Sequence, residues 1–173
     1  MNHRTRQFFF RHYWWLAFGC AGLVICGVHG ANVEKRWEMT AAIIGVIASV
    51  IYFVQKQKLE ETQLFERLFV RFNEQYSRLH EQLQQICRQD GEEILLSAQQ
   101  AETLDKYFNL CAEEFLFYSE GRILTKAWSA WCRGMLIYLQ NPIIARWWQQ
   151  QETTNSHYGL TRAEIERGAI KLT

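Results

Sequence analysis

The sequence predicts an all-α protein with an N-terminal two-helix transmembrane hairpin, which continues through a long stalk helix into a small cytoplasmic helical bundle. Three observations lead to this fold class: two uncharged apolar runs near the start, a heptad pattern directly after the second run, and no sustained period-two alternation anywhere in the 173 residues. The predicted domains are a transmembrane hairpin at 1–55, a stalk helix at 56–90 and a cytoplasmic α-helical domain at 91–173.

The two apolar runs predict two membrane spans. They read YWWLAFGCAGLVICGVH (13–29) and MTAAIIGVIASVIYFV (39–54). Each is slightly shorter than the roughly 20 residues that cross a bilayer core, but aromatic and polar flanks complete the crossing at the interfaces. A cleaved signal peptide would also begin with basic residues, and a soluble protein can bury apolar helices. The interfacial Trp14 and Trp15, the lack of a cleavage site and the short polar linker favour two spans.

Basic residues near the spans predict that both termini are cytoplasmic. Arg4, Arg6 and Arg11 precede the first span, and Lys56 and Lys58 follow the second. The linker ANVEKRWE balances its two basic residues with two glutamates. By the positive-inside rule the hairpin turns on the outer side, so we expect a multi-pass protein of the bacterial inner membrane.

Small residues recur at helical spacing on both spans. In lipid, such faces let helix backbones approach closely and pack by van der Waals contact, because hydrophobicity does not drive helices together there. These faces can pack the hairpin on itself or join neighbouring subunits. The predicted packing residues are Gly19, Gly22 and Cys26 on the first span and Ala41, Gly45 and Ser49 on the second.

After Val54 the apolar residues follow alternating steps of four and three, which is the a/d pattern of a coiled coil or of a long helix in a bundle. The remaining faces carry mixed charges typical of a solvated surface. One helix from about Met39 to about Arg88 is therefore predicted, and its stripe makes self-association as a homo-oligomer an expectation. The stalk-association residues are Phe65, Phe69, Phe72, Tyr76, Leu79, Leu83 and Ile86.

Turn and capping signals divide the rest of the chain into four further helices. Asp90 and Gly91 predict a turn, and capping boxes or an N-terminal proline mark the later helix starts. The predicted helices begin after Ser97 (with Gln100) and end near Gly121, run from about Thr125 to Leu139, open at Asn141–Pro142, and begin again after Thr161 (with Glu164).

Composition and motifs point away from an enzyme. The net charge of +1 gives no argument for a nucleic-acid or acidic partner. The five cysteines form no CxxC pair, the five histidines are isolated, and no phosphate loop or nucleophile elbow is present. Glu113 and Glu114 are adjacent on a helix and therefore point in different directions, whereas a catalytic carboxylate pair must converge. We expect no catalytic residues, no metal site and no cofactor.

One basic constellation suggests ligand binding. If the third helix extends back by a turn, Arg122, Lys126 and Arg133 fall within a narrow arc opposite its tryptophans. Such a stripe can hold the phosphates of a nucleotide or oligonucleotide. The alternative is an ordinary solvated face.

Two short spans, a stalk and a helical module containing LDKYFNLCAEEFLFYSEGRILTKAWSAWCRGM (104–135) resemble the small two-span membrane effectors of bacterial anti-phage systems. The layout is similar in particular to the membrane protein encoded beside a retron reverse transcriptase. The resemblance implies a toxin of antiviral defence that is kept silent by the reverse transcriptase and its RNA–DNA product. On phage sensing it would perturb the membrane and cause abortive infection.

Two other functions remain open from the sequence. The first is a cyclic-oligonucleotide-gated membrane effector of the type III CRISPR kind, which would use the three basic residues of the third helix. The second is a non-toxic membrane tether or assembly subunit, which would need only the spans and a binding surface.

Overall fold

The described part of the computed structural model comprises Gly19, Gly22, Cys26, Gly27 and residues 36–89, 96–154 and 156–170. These residues form helices and turns and no strand, which confirms the all-α prediction. The predicted turn at Asp90–Gly91 lies outside them. The helices of residues 36–170, within the described ranges, are α1 (Arg36–Cys87), α2 (Ala98–Ser119), α3 (Thr125–Leu139), α4 (Pro142–Glu152) and α5 (Arg162–Ile170).

The chain divides into two compact units, Met1–Thr62 and Gln63–Thr173, and α1 contributes residues to both. The sequence-based division at 55 and 90 stays a prediction. The predicted helix from Met39 to Arg88 agrees with α1 to within three residues, because an uninterrupted helical pattern without proline or turn signals gives the chain no reason to break.

The first unit contains the apolar segment of α1, which begins near Trp37. Within the described residues, this is the one helix that is long and apolar enough to cross a membrane by length and composition. Many of its apolar side chains are exposed, and Phe53 retains 66% of its accessible surface. The other predicted span lies outside the described residues except for Gly19, Gly22, Cys26 and Gly27, which are all helical.

The second unit is built around an aromatic core to which α1 and the four later helices all contribute. Phe72 of α1 and Phe108 of α2 are fully buried, and Trp128 of α3 and Trp148 of α4 are nearly so. Tyr118 stacks on Trp128 with ring centroids 5.1 Å apart, while Phe108 stacks on Trp148 at 4.5 Å. Burial of large aromatic side chains dominates the stability of a unit of this size.

Local capping explains where the helices begin. Ser97 and Gln100 form the predicted capping box, in which each side chain accepts a hydrogen bond from the other residue's backbone N–H. Asn141 accepts from the backbone N–H groups of Ile143 and Ile144, with Pro142 at the first helical position.

The last helix has only half of its predicted box. Thr161 accepts a hydrogen bond from the Glu164 backbone N–H, but the Glu164 carboxylate pairs with Arg167. The ion pair with Arg167, at 2.6 Å, competes for the carboxylate that the reciprocal half of the box would use. Thr161 therefore caps α5 without the reciprocal hydrogen bond to the Glu164 side chain.

Helices α3 and α5 pack closely at Gly168. A Cβ atom added to Gly168 would lie 2.6 Å from Nε1 of Trp128 and would also overlap Sγ of Cys132. Both side chains are buried and have little room to retreat. The absence of a side chain at Gly168 is what allows α5 to lie against α3.

We expect Gly168→Ala to destabilise the protein by about 1–3 kcal/mol, because overpacking outweighs the gain in helix propensity. Gly134→Ala is the matched control: a Cβ there meets no described atom within 4 Å, so the same substitution should stabilise by up to about 1 kcal/mol. Thermal unfolding of the purified full chain in detergent measures both. Equal shifts for the two variants would contradict the close approach of α3 and α5.

Candidate functional site

A cavity of about 210 Å³ lies where α1, α2 and α3 of the second unit meet. Its wall is largely aromatic and apolar, with one carboxyl group among the lining side chains. The lining residues are Asn73 and Tyr76 from α1, Tyr107, Leu110, Cys111 and Glu114 from α2, and Ala130, Trp131, Gly134 and Met135 from α3.

Helical spacing brings these side chains to one place. On α2, Tyr107, Cys111 and Glu114 follow one another at steps of four and three, so they share one face. On α3, Trp131 closes one side of the cavity and is packed edge-on against the buried Phe72, with ring centroids 5.9 Å apart. Gly134, one turn later, has no side chain to fill the space.

Glu114 is the distinctive group of this cavity. Its side chain is only 6% exposed, and no described residue forms a hydrogen bond or ion pair with its carboxyl group. Burial raises the pKa of Glu114 to about 8, and the negative charge of the neighbouring Glu113 adds to the effect. The carboxyl group is therefore mostly protonated at pH 7, because burying an unpaired charge is costly.

Glu113 has a different environment from its neighbour. Its carboxylate accepts a hydrogen bond of 2.7 Å from the Arg71 guanidinium and so links α2 to α1. This pair is about half exposed, so it contributes little to stability but fixes which of the two glutamates faces solvent. Glu114 is left to point towards the interior.

The thiols near the cavity are unsuited to nucleophilic chemistry. Burial is the main cause that raises the pKa of Cys111, and it raises the pKa of Cys132 to about 12, so both remain protonated at neutral pH. Burial also raises the pKa of the Tyr107 hydroxyl. This arrangement can bind a ligand or hold a proton, but it does not present an activated nucleophile.

A small polar network adjoins the cavity. The hydroxyl groups of Tyr76 and Tyr138 are 2.9 Å apart, and Nδ1 of His80 lies 3.0 Å from the first and 3.2 Å from the second. Burial raises the pKa of Tyr138 well above its usual range. The network ties α3 to α1 and fixes the orientation of the Tyr76 ring in the cavity wall.

The predicted phosphate-binding stripe is not assembled as expected. Helix α3 begins at Thr125, and Arg122 lies in the preceding turn, where Gly121 at φ +73° ends α2 and the Arg122 backbone N–H bonds to Phe117 O. The extension that would place Arg122 on the face of Lys126 therefore does not occur. A left-handed glycine cap terminates the helix and redirects the chain.

The side chains of this stripe also have other partners. Arg122 pairs with Glu120 at 2.9 Å, and the Arg133 guanidinium donates to Oγ of Ser129 and to the Ala169 carbonyl near the end of α5. Arg133 thus helps to satisfy the last turn of a helix, which favours a cation there. Lys126 is exposed on the first turn of α3. Binding of phosphates by these residues stays a prediction.

The predicted stalk-association residues lie largely within the chain's own core. Phe72, Leu83 and Ile86 are buried, and Phe65, Tyr76 and Leu79 pack against the core from its edge. Phe69 keeps 40% of its surface exposed and stacks on Trp131. The heptad stripe therefore contributes to the chain's own helical bundle, and self-association of the stalk stays a prediction.

The small residues predicted to pack the spans are exposed. Cβ atoms added at Gly19, Gly22 or Gly45 meet no described atom within 4 Å, and Cys26 is exposed as well. Ala41 and Ser49 are likewise open, with the Ser49 hydroxyl donating to the Gly45 carbonyl at 2.8 Å. Their packing against lipid, each other or a second copy stays a prediction.

The sequence drew attention to Glu113 and Glu114 but not to the cavity. The available signal was a carboxyl group at an apolar-face position, in step with Tyr107 and Cys111. Its meaning depends on α1 and α3, which close the cavity from distant parts of the chain.

Comparison of this chain with protein-family models, with curated proteins and with solved structures finds no match.

Proposed function

We propose that this protein is a membrane-anchored toxic effector that perturbs the bacterial inner membrane when its cytoplasmic helical unit is released from a partner complex. The observation that carries the proposal is helix α1, which supplies an exposed apolar segment to one unit and core residues such as Phe72 to the other. Exposing a long apolar segment to water costs free energy, and placing it among lipid acyl chains removes that cost.

The proposed topology has two spans and cytoplasmic termini. Lys56 lies two residues after the apolar segment, as expected for a cytoplasmic boundary under the positive-inside rule. The spans form a hairpin, and the second continues through the stalk into the cytoplasmic helical bundle. Ala41, Gly45 and Ser49 form an open small-residue series on the second span, which is suited to close helix packing in lipid.

In the proposed mechanism, the two spans repack along the faces formed by their small residues. A two-state switch requires packings that differ by only a few kcal/mol, and weak membrane interfaces of small residues meet that condition. Loss of the partner would bias the spans towards an oligomer that leaks ions. Its growth-arresting effect would constitute abortive infection.

The partner we propose is a retron reverse transcriptase with its RNA–DNA product. The support is the resemblance in layout and in residues 104–135. The tagged chain, purified in detergent from its native host, should carry a reverse transcriptase and a nuclease-sensitive RNA–DNA hybrid. Recovery of the intact chain without nucleic acid at physiological salt would overturn this part of the proposal.

The membrane activity is tested by inducing the protein alone and following membrane potential with a voltage-sensitive dye. We expect depolarisation before growth stops, and we expect Val46→Lys to abolish it. A lysine at the centre of a span costs about 2.5–3.5 kcal/mol of insertion free energy. Val70→Lys is the matched control, since Val70 is also an exposed valine of α1 but lies beyond the apolar segment.

Two outcomes would contradict the proposal. Growth arrest with undisturbed potential would remove membrane perturbation as the toxic activity. Harmless induction, together with recovery of a stable complex, would identify a passive tether instead. Carbonate extraction and detergent dependence of the same samples report whether the wild-type chain is in the membrane at all.

A further inference from the structure

We propose that the cavity between α1, α2 and α3 binds a small organic cation, an alkylammonium or alkylguanidinium, through the Glu114 carboxylate. The inference rests on the cavity alone and is independent of the membrane activity. Three features carry it: the unpaired carboxyl group of Glu114, a residue that is only 6% exposed, an aromatic wall, and no lysine, arginine or histidine among the lining residues.

The charge balance of the lining selects the ligand. Of the lining residues, Glu114 is the one that can carry a charge at neutral pH. A buried carboxyl group without a hydrogen-bond partner is costly, and a ligand that donates to it removes that cost. An anion would meet no positive lining group and would face Glu114 directly.

The aromatic rings fit the same ligand class. Trp131 and Tyr76 bound the cavity from α3 and α1, and Tyr107 bounds it from α2. Ring faces attract cations, and this attraction is strongest where water is excluded. The volume of about 210 Å³ is smaller than that of most drug-sized pockets, so the ligand is a small molecule with a short apolar tail.

Binding should release a proton. A bound cation favours the ionised form of Glu114, which is mostly protonated in the free protein, so each ligand displaces about one proton below pH 8. The affinity should therefore rise about tenfold per pH unit between pH 6 and 7.5 and level off above about pH 8.

The surrounding groups leave Glu114 as the source of that proton. Tyr107, Cys111 and Cys132 keep their protons in this range, because burial raises their pKa values. Glu113 is paired with Arg71. From α1, Tyr76 reaches the cavity and is hydrogen-bonded to His80, so a variant of Glu114 is needed to separate the contribution of that histidine.

The experiment is isothermal titration calorimetry on the full chain in detergent. The probes are n-butylammonium and n-butylguanidinium, and n-butanol is the uncharged counterpart. Titrations at pH 6, 7, 8 and 9, each in two buffers of different ionisation enthalpy, count the protons released and include a point above the pKa of Glu114. We expect the cations to bind with the stated pH dependence and butanol to bind far more weakly.

Two variants test the site by different routes. Glu114→Gln removes the charge and should abolish both cation binding and proton release. Gly134→Leu keeps Glu114 but fills the cavity and should also abolish binding. Glu102→Gln is the control, because it makes the same change on an exposed face of α2 and should leave binding intact. Thermal unfolding confirms that each variant is folded.

Several results would overturn the proposal. Equal, pH-independent binding of butanol and butylammonium would mean a purely apolar cavity. Cation binding that weakens above pH 8 would mean that the ligand does not pair with the ionised carboxylate of Glu114. No heat of binding for either cation at millimolar concentration would exclude the site outright.

Discussion

Raising the pH from about 5 to 8 should destabilise this protein, and Glu114→Gln should remove most of that loss. The folded protein holds the Glu114 proton up to a pKa of about 8, whereas the unfolded chain releases it near 4.5. Between these values unfolding releases a proton, so increasing pH favours the unfolded state. The full effect of a shift of this size is at most about 5 kcal/mol.

The pH range of this effect follows from the pKa values of Glu114 in the unfolded and folded states. The contribution of Glu114 is fully present below pH 4.5, falls as the pH rises towards 8 and is constant above it. Gln resembles the protonated carboxyl group in shape and stays neutral, so the variant should match the parent near pH 5 and exceed it at pH 9. Thermal unfolding in detergent across this range measures the difference.

A second buried group acts in the opposite direction. Burial lowers the pKa of His157, whose ring packs edge-on against Trp148 at 5.1 Å. Its contribution therefore increases as the pH rises towards 6.5. Because His157 is present in both proteins, the difference between Glu114→Gln and the parent isolates Glu114, and Glu102→Gln controls for the loss of one acidic residue. A stability difference between Glu114→Gln and the unsubstituted protein that does not change with pH would contradict the burial of Glu114.

The helices of this protein were predictable because their signals are local. Ser97 with Gln100 and Asn141 with Pro142 each specify a helix start within four residues, and the structure has α2 and α4 beginning there. The continuous helical pattern from Met39 onwards likewise specified α1. None of these inferences required knowledge of what lies across from a residue in space.

The partner of the heptad stripe could not be predicted in the same way. An a/d pattern states that one face of α1 is covered, but Phe72 and Ile86 would show the same spacing against a second copy or against their own chain. The structure covers them with later helices. The missing information is long-range contact, which a spacing of three and four does not contain.

The position of Arg122 and the existence of the cavity both depend on information that helical spacing does not contain. Arg122 would share a helix face with Lys126 only if α3 began one turn earlier. The left-handed backbone at Gly121 redirects the chain, and α3 begins at Thr125. The role of Glu114 depends on Trp131 and Tyr76, which are separated from it by 17 and 38 residues in the sequence. A helical pattern identifies which face of its helix a residue lies on. A pocket forms only where the faces of three helices, here α1, α2 and α3, meet in space.

Phe108→Ala should cost the most of any single substitution considered for the second unit. Phe108 is fully buried and stacks on both tryptophans of α4, with centroids 4.5 Å from Trp148 and 5.5 Å from Trp147. Truncating a buried phenylalanine costs about 3–5 kcal/mol through lost burial and the cavity left behind. Since stability of a domain of this size is about 5–15 kcal/mol, α4 should lose its fixed position on α2.

Phe69→Ala provides the matched control, because Phe69 makes one aromatic stack on Trp131 but remains 40% exposed. Its loss should be much smaller, since less surface leaves the core and water can fill the space. Near-ultraviolet circular dichroism during thermal unfolding in detergent reports on both, because the signal comes mainly from packed tryptophans. Equal losses for the two variants would mean that Phe108 is not enclosed by α4, and the aromatic core would then have to be built differently.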